Sequence, residues 1–102
     1  MMTQAMQKRA DRFRAEWKDE GNGYYSLQGR YISELRYIAI PENHPDVGAH
    51  YDFEDYGPEV NGGLTFGAGN VFGWDYAHAS NTFDYAGDIA RAISYFRARE
   101  SK

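Results

Sequence analysis

Six side chains in the middle of the chain are of types that take part in acid–base chemistry or bind metals. They are His44, Asp46, His50, Asp52, Asp75 and His78. Zn²⁺ takes imidazole nitrogen and carboxylate oxygen as ligands, and three such ligands plus a water make a catalytic site. The spacing matches no known zinc signature, and the chain has no His-Glu-x-x-His motif. We therefore expect no metal and no cofactor, and we expect Asp75 and His78 to make structural hydrogen bonds.

A hydrolase is the alternative to a protein without catalytic residues. The residues available to it are His44, Asp52, Asp75 and His78. A histidine oriented by a carboxylate is a common general base, and His78 beside Asp75 or Asp52 would have that form. The nucleophile would be Ser80, Thr65 or a water, and no pattern marks any of them as activated. We therefore predict no catalytic residues and keep a metal-dependent or His/Asp hydrolase as the alternative.

The charge of the chain is unevenly distributed. Residues 37–90 contain nine carboxylates and no lysine or arginine, whereas the remainder contains all eleven basic residues and six acids. Such segregation concerns partners more than fold. Spaced carboxylates can imitate a phosphate backbone, and aromatic residues between them supply binding hot spots. The predicted partner-binding residues are Glu42, Asp46, Tyr51, Asp52, Phe53, Glu54, Asp55, Tyr56 and Glu59.

Length and composition restrict the class of protein. A chain of 102 residues forms one domain, here taken as residues 1–102. The absence of cysteine excludes disulfides and thiol nucleophiles. No apolar run is long enough for a membrane span, and the polar N-terminus does not resemble a signal peptide. At a net charge of −4, direct nucleic-acid binding is not expected. We expect a cytoplasmic protein.

The periodicity of the chain predicts helices at both ends. An apolar stripe with Trp17 at its end predicts a helix over residues 3–20, with Thr3 as N-cap and Gly21 as its stop. A second helix is predicted over residues 83–99. Its apolar stripe is Ala86, Ile89, Ala90, Ile93 and Phe96, and Asp84 lies in its first turn. The helix side of the core is predicted to be Phe13, Trp17, Ile89, Ile93 and Phe96.

Between the helices, alternation predicts strands. They cover residues 24–27, 30–40, 60–66 and 70–76, with residues 30–40 as a central strand and Gly67-Ala68-Gly69 as a hairpin turn. Residues 41–59 form a long loop that its aromatic residues pin to the body. We therefore predict an α+β fold: a small antiparallel sheet of about four strands, packed on one face by an N-terminal and a C-terminal helix.

Three segments carry a resemblance to a known family. Residues 38–45 read IAIPENHP, residues 61–65 NGGLT and residues 73–78 GWDYAH. They resemble small phage and prophage proteins that have I-P-x-x-H-P, H-G-G-L-T and G-F-D-x-A-H in this order, and the likeness covers about residues 37–85. Asn61 stands where many relatives have histidine, which argues against a metal or acid–base site there. The resemblance implies phage origin but no particular activity.

The resemblance and the charge pattern together suggest a function. Small acidic phage proteins often bind host machinery, and inhibitors of CRISPR effector complexes include mimics of nucleic acid. We expect a non-catalytic protein that binds and inhibits a host protein or complex with a basic surface in the host cytoplasm, for example a defence complex. No membrane partner is expected, and a homo-oligomer is compatible with the sequence. A further alternative is a binder of a nucleotide signal, with Arg30, Arg36 or the helix cations lining a pocket.

Overall fold

The computed structural model describes residues 2–32, 34–77 and 84–101. The elements are α1 (Gln4–Phe13), β1 (Glu16–Gly21), β2 (Tyr24–Gln28), β3 (Leu35–Ala39), β4 (Phe66–Ala68), β5 (Val71–Asp75) and α2 (Tyr85–Ala98). The strands form one antiparallel sheet in the order β1-β2-β3-β5-β4. The predicted α+β class with a helix at each end is confirmed, with five strands where about four were expected.

Helix α1 begins as predicted but ends at Phe13 instead of residue 20. The hydroxyl of Thr3 caps it by accepting a hydrogen bond from the Met6 N–H at 3.2 Å. Arg14 has a φ of 51°, in the left-handed region, and this turn ends the helix. The prediction of one helix to residue 20, with Gly21 as its stop, is therefore wrong.

The residues after Arg14 form β1 because the chain turns back and pairs with β2. The strand carries charges of both signs and one large apolar residue, Trp17, so its sequence shows no clear strand period. The indole N–H of Trp17 donates to the Met6 carbonyl at 2.8 Å, so Trp17 still packs against α1. β1 is an edge strand, and its charged side chains oppose pairing with another chain.

Strand β3 is central and apolar on both faces, as predicted, although it covers only Leu35–Ala39. Ile38 packs in the core cluster that contains residues of α2. Tyr37 and Ala39 pack in the cluster that contains residues of α1. Because successive side chains of a strand point to opposite faces, the two helices cover opposite faces of the sheet. The prediction that both helices pack on one face is wrong.

The predicted hairpin exists, but its first strand and its turn are shifted. Residues 60–65 are not a strand, and β4 covers only Phe66–Ala68. Gly62 and Gly63 have φ values of 72° and 76°, a conformation that interrupts an extended strand. Ala68 pairs with Val71, so the turn falls at residues 69–70 instead of 67–69.

Helix α2 begins at Tyr85, with the Asp84 side chain accepting from the Gly87 N–H at 3.1 Å as its N-cap. Of the predicted stripe, Ile93 and Phe96 are buried, and Ile89 is half-buried. Ala86 and Ala90 are exposed, whereas Ala92 is buried. The predicted stripe is therefore displaced around the helix. Of the remaining residues predicted for the helix side of the core, Phe13 and Trp17 are half-buried, and Trp17 lies on β1.

Replacing Phe96 with alanine tests how α2 docks. Phe96 is 0% exposed and stacks on Phe72 with ring centroids 4.8 Å apart. Phe96→Ala should lower the free energy of unfolding by about 3–5 kcal/mol, because it removes a large buried ring and leaves a cavity. Chemical denaturation measures this change. The control is Tyr56→Ala, which removes a side chain that is 92% exposed and should change stability by less than about 0.5 kcal/mol. Equal stabilities of the two variants would contradict this packing.

Candidate functional site

His44 is a buried structural residue at the start of the long loop. Its Nδ1 accepts a hydrogen bond from the Asp46 N–H at 3.0 Å. Its Nε2 lies 2.7 Å from the Phe96 carbonyl oxygen, which can only accept, so Nε2 carries the proton and donates. The side chain is fully buried. Both ring nitrogens are therefore occupied, and neither is open to a metal or a substrate.

Asp46 and Arg99 join the long loop to the end of α2. The guanidinium of Arg99 donates to both carboxylate oxygens of Asp46, from Nε at 2.7 Å and from Nη2 at 3.2 Å. Asp46 is buried and Arg99 is half-buried. A bidentate pair of this kind is stronger and more directional than an exposed ion pair. The hydrogen bond to Asp46 raises the pKa of Arg99.

A second set of contacts holds the middle of the same loop. The Tyr95 hydroxyl donates to Asp55 at 2.6 Å, and this hydrogen bond lowers the pKa of Asp55. Arg99 Nη1 lies 3.6 Å from Asp55, and its guanidinium lies over the ring of Phe53 at 5.0 Å. Phe53 contacts the ring of Phe96 with centroids 5.7 Å apart. The loop is therefore fastened to α2 by an ion pair, a hydrogen bond and an aromatic contact.

The remaining carboxylates of the loop point outward. We use the name acidic loop for residues 42–59. Its four exposed carboxylates without a side-chain partner among the described residues are Glu42, Asp52, Glu54 and Glu59. Tyr56 is 92% exposed and has a φ of 68°. Tyr51 is half-buried and stacks on His50 with ring centroids 4.3 Å apart. The predicted partner-binding residues thus divide into an anchoring group and an outward group.

The described residues of the alternative hydrolase, which are His44, Asp52 and Asp75, are not gathered in one place. Asp75, at the end of β5, accepts from the Ala77 N–H at 3.1 Å and from the Thr65 hydroxyl at 3.3 Å. The hydroxyl of the next residue, Tyr76, donates a hydrogen bond to Asp88 in the first turns of α2. His44 instead donates to the carbonyl of Phe96, near the C-terminal end of that helix. Eight helical residues span about 12 Å along the axis, which separates these two positions.

The remaining described member of that set adds no joined site. Asp52 is exposed, and its backbone N–H donates to Nδ1 of His50 at 3.2 Å. His78 and Ser80 lie outside the described residues. Within the described ranges, no three histidine, cysteine, aspartate or glutamate side chains are grouped so that they could hold a metal ion.

A buried polar network under α2 was missed by sequence reasoning. Asp88 is 4% exposed and accepts hydrogen bonds from the Tyr76 hydroxyl, from Arg91 and from the Asn61 N–H, the last at 3.2 Å. The Trp74 indole N–H donates to the Tyr76 hydroxyl at 3.0 Å. Asp88, Ala92 and Phe96 follow at intervals of four, a spacing that could have placed Asp88 on the buried face. Asn61 thus supports the network through its backbone.

The described part of the chain has no helix with the length and apolar character needed to cross a membrane. Comparisons of the chain with known protein families, with curated proteins and with solved structures found no match. The function therefore has to be inferred from the geometry and the charges of the site itself.

Replacing His44 tests its structural role. His44→Ala leaves the Phe96 carbonyl with one hydrogen-bond donor fewer and the Asp46 N–H without its acceptor, so stability should fall by about 1–3 kcal/mol. The control is His50→Ala, an exposed histidine of the same loop, which should change stability by less than about 0.5 kcal/mol. Thermal and chemical denaturation measure both. A His44→Ala variant as stable as the His50→Ala variant would contradict the assigned hydrogen bonds.

The tyrosines provide a test at alkaline pH. Burial raises the pKa of Tyr24, Tyr76 and Tyr95, and a hydrogen bond to a carboxylate raises each further. A phenol whose pKa is higher in the folded state stabilises the fold below its unfolded pKa of about 10, and this contribution is lost as the pH rises further.

Three of the nine tyrosines should therefore ionise only as the protein unfolds. Tyrosinate absorbance followed together with circular dichroism measures this. Ionisation of all nine near pH ~10 with the fold intact would contradict the three hydrogen bonds.

Proposed function

We propose that the protein has no catalytic activity and acts by binding a host protein or complex through the acidic loop. The observation that carries this proposal is the division of carboxylates within the loop. Asp46 and Asp55 are bonded inward to Arg99 and Tyr95. The other four carboxylates are exposed and have no side-chain partner among the described residues; they are Glu42, Asp52, Glu54 and Glu59. The inner carboxylates fasten the loop, and the outer ones remain available to a partner.

Fastening the loop in advance favours binding. Ordering a flexible segment on association costs free energy, and a preorganised segment avoids part of that cost. The contacts of His44, Asp46 and Phe53 with α2 and its C-cap Arg99 supply this order at three points along the loop. A loop kept only for solubility would not require such anchoring.

The surface of the acidic loop suits a cationic partner. A depression of about 480 Å³ has the outward carboxylates of Asp52 and Glu54 on its wall, with the paired residues Asp55 and Arg99 also lining it. An arginine or lysine of the partner would meet the unpaired carboxylates of Asp52 and Glu54 there. Tyr56, the residue after Asp55 in the chain, is exposed and is of a residue type that is enriched in binding hot spots.

The partner that fits best is a protein surface made to bind nucleic acid. Such surfaces carry clustered lysine and arginine, and outward carboxylates offer them the charge of a phosphate backbone. The resemblance to phage proteins favours a host protein as the partner, and occupation of its nucleic-acid channel would inhibit it. A host defence complex is one such target.

Affinity capture from host lysate tests the proposal. The immobilised protein, the double variant Asp52→Asn/Glu54→Gln and the control Glu16→Gln/Glu34→Gln are compared by mass spectrometry of the captured proteins. The control removes the same charge from exposed carboxylates outside the loop. The proposal requires a protein with a basic surface that the wild type and the control capture and the loop variant does not. The purified partner should then lose its nucleic acid when the protein is added.

The kinetics of that association should depend on charge. The loop variant should reduce the association rate constant by about 3–10-fold at low salt, and the difference from the control should shrink as salt screens the charges. Surface plasmon resonance at several salt concentrations measures this. The loop variant leaves Asp55 unchanged because Asp55 accepts a hydrogen bond from the Tyr95 hydroxyl, so the fold of the variant should be unaffected. An association rate insensitive to salt and equal in both variants would refute binding through the acidic loop.

A further inference from the structure

A groove on the opposite side of the sheet from α2 has the properties of a small-molecule site. It has a volume of about 620 Å³ and lies between the first turns of α1, the β4–β5 hairpin and the start of the acidic loop. Small-molecule sites of proteins typically have volumes of about 300–1,000 Å³. Its apolar wall includes Ala5, Val47, Phe66 and Ala68. Val47 is 38% exposed, and Phe66 is half-buried.

Arg9 is the unusual residue of this groove. Its guanidinium lies over the ring of Phe66 at 4.7 Å, and over the rings of Tyr37 and Phe13 at 5.7 Å and 5.8 Å. It is half-buried, and its one hydrogen bond among the described residues is to the Tyr37 hydroxyl at 3.5 Å. The aromatic rings therefore hold the guanidinium in place while most of its N–H groups have no acceptor within the described ranges.

The missing acceptor is informative because the chain has an excess of acids. There are fifteen aspartates and glutamates against eleven lysines and arginines. Arg91 and Arg99 are paired with carboxylates on α2 and in the acidic loop. Arg9 has no carboxylate partner in the described part of the chain, although Glu42 lies on the wall of the same groove. A positioned guanidinium with open N–H groups is suited to an external anion.

We propose that this groove binds an organic phosphate of the size of a nucleoside monophosphate. The planar fork of Arg9 matches phosphate oxygens in a bidentate arrangement, and the adjacent Lys8 adds a second positive charge against a dianion. The apolar wall would receive the flat organic body. The Glu42 carboxylate can accept hydrogen bonds from N–H or O–H groups of the bound organic phosphate. This site is separate from the outward carboxylates at Asp52 and Glu54.

Titration with nucleotides tests the proposal. The probes are the four ribonucleoside 5′-monophosphates, each added to ¹⁵N-labelled protein and followed by NMR, with inorganic phosphate as a comparison. At least one nucleotide should produce saturable shifts at Lys8, Arg9 and Gly69 and should bind more tightly than inorganic phosphate. Absence of saturable shifts with all four nucleotides would overturn the proposal. Equal affinity for inorganic phosphate would also overturn it, because the apolar wall would then contribute nothing.

Charge-matched variants locate the site. Arg9→Gln should weaken nucleotide binding at least about tenfold, because hydrogen bonds from a charged donor are lost. Arg12→Gln is the control, since Arg12 is an exposed cation of the same helix that does not line the groove. Equal weakening in both variants would overturn the proposal in favour of non-specific attraction. If Arg9→Gln fails to fold, Lys8→Gln takes its place and should weaken binding a few-fold relative to Arg12→Gln.

Discussion

The proposed binding surface depends on the contacts that fasten the acidic loop to α2. Arg99 bonds both oxygens of Asp46, lies near Asp55 and covers the ring of Phe53. His44 closes the same junction through the Phe96 carbonyl. A loop of this length is usually mobile or functional, because ordering its backbone is costly. Here Arg99, His44 and Phe53 together order it against α2.

The same arrangement explains how a strongly acidic segment coexists with a folded body. Asp88 is buried but receives three hydrogen bonds, and Asp46 is buried but paired with Arg99, so neither carboxylate remains an uncompensated buried charge. The carboxylates of the acidic loop without a side-chain partner among the described residues lie at the surface, where water and salt screen their repulsion. The aromatic cage around Arg9 places a cation on the other face of the sheet. The two faces are therefore chemically different.

Much of the fold could be predicted from local patterns, and the predictions that were wrong failed for physical reasons. Capping chemistry predicts the role of Thr3. Periodicity predicts the central position of β3 and the helix at residues 85–98. The spacing of Trp17 suits a helical stripe and predicts a helix, but the left-handed turn at Arg14 ends α1 and Trp17 lies on β1. β1 gains its structure from pairing with β2, a long-range interaction that a local pattern does not show.

Composition and periodicity alone predict an acidic, aromatic-rich segment without lysine or arginine, in a chain that can form an α+β domain. The tertiary structure sets which carboxylates point outward, since Asp46 and Asp55 differ from Glu54 in the residues that α2 brings to them. It also decided that His44 is structural and that Arg9 lines a groove. Side-chain roles of this kind depend on neighbours distant in sequence, and periodicity carries no information about those neighbours.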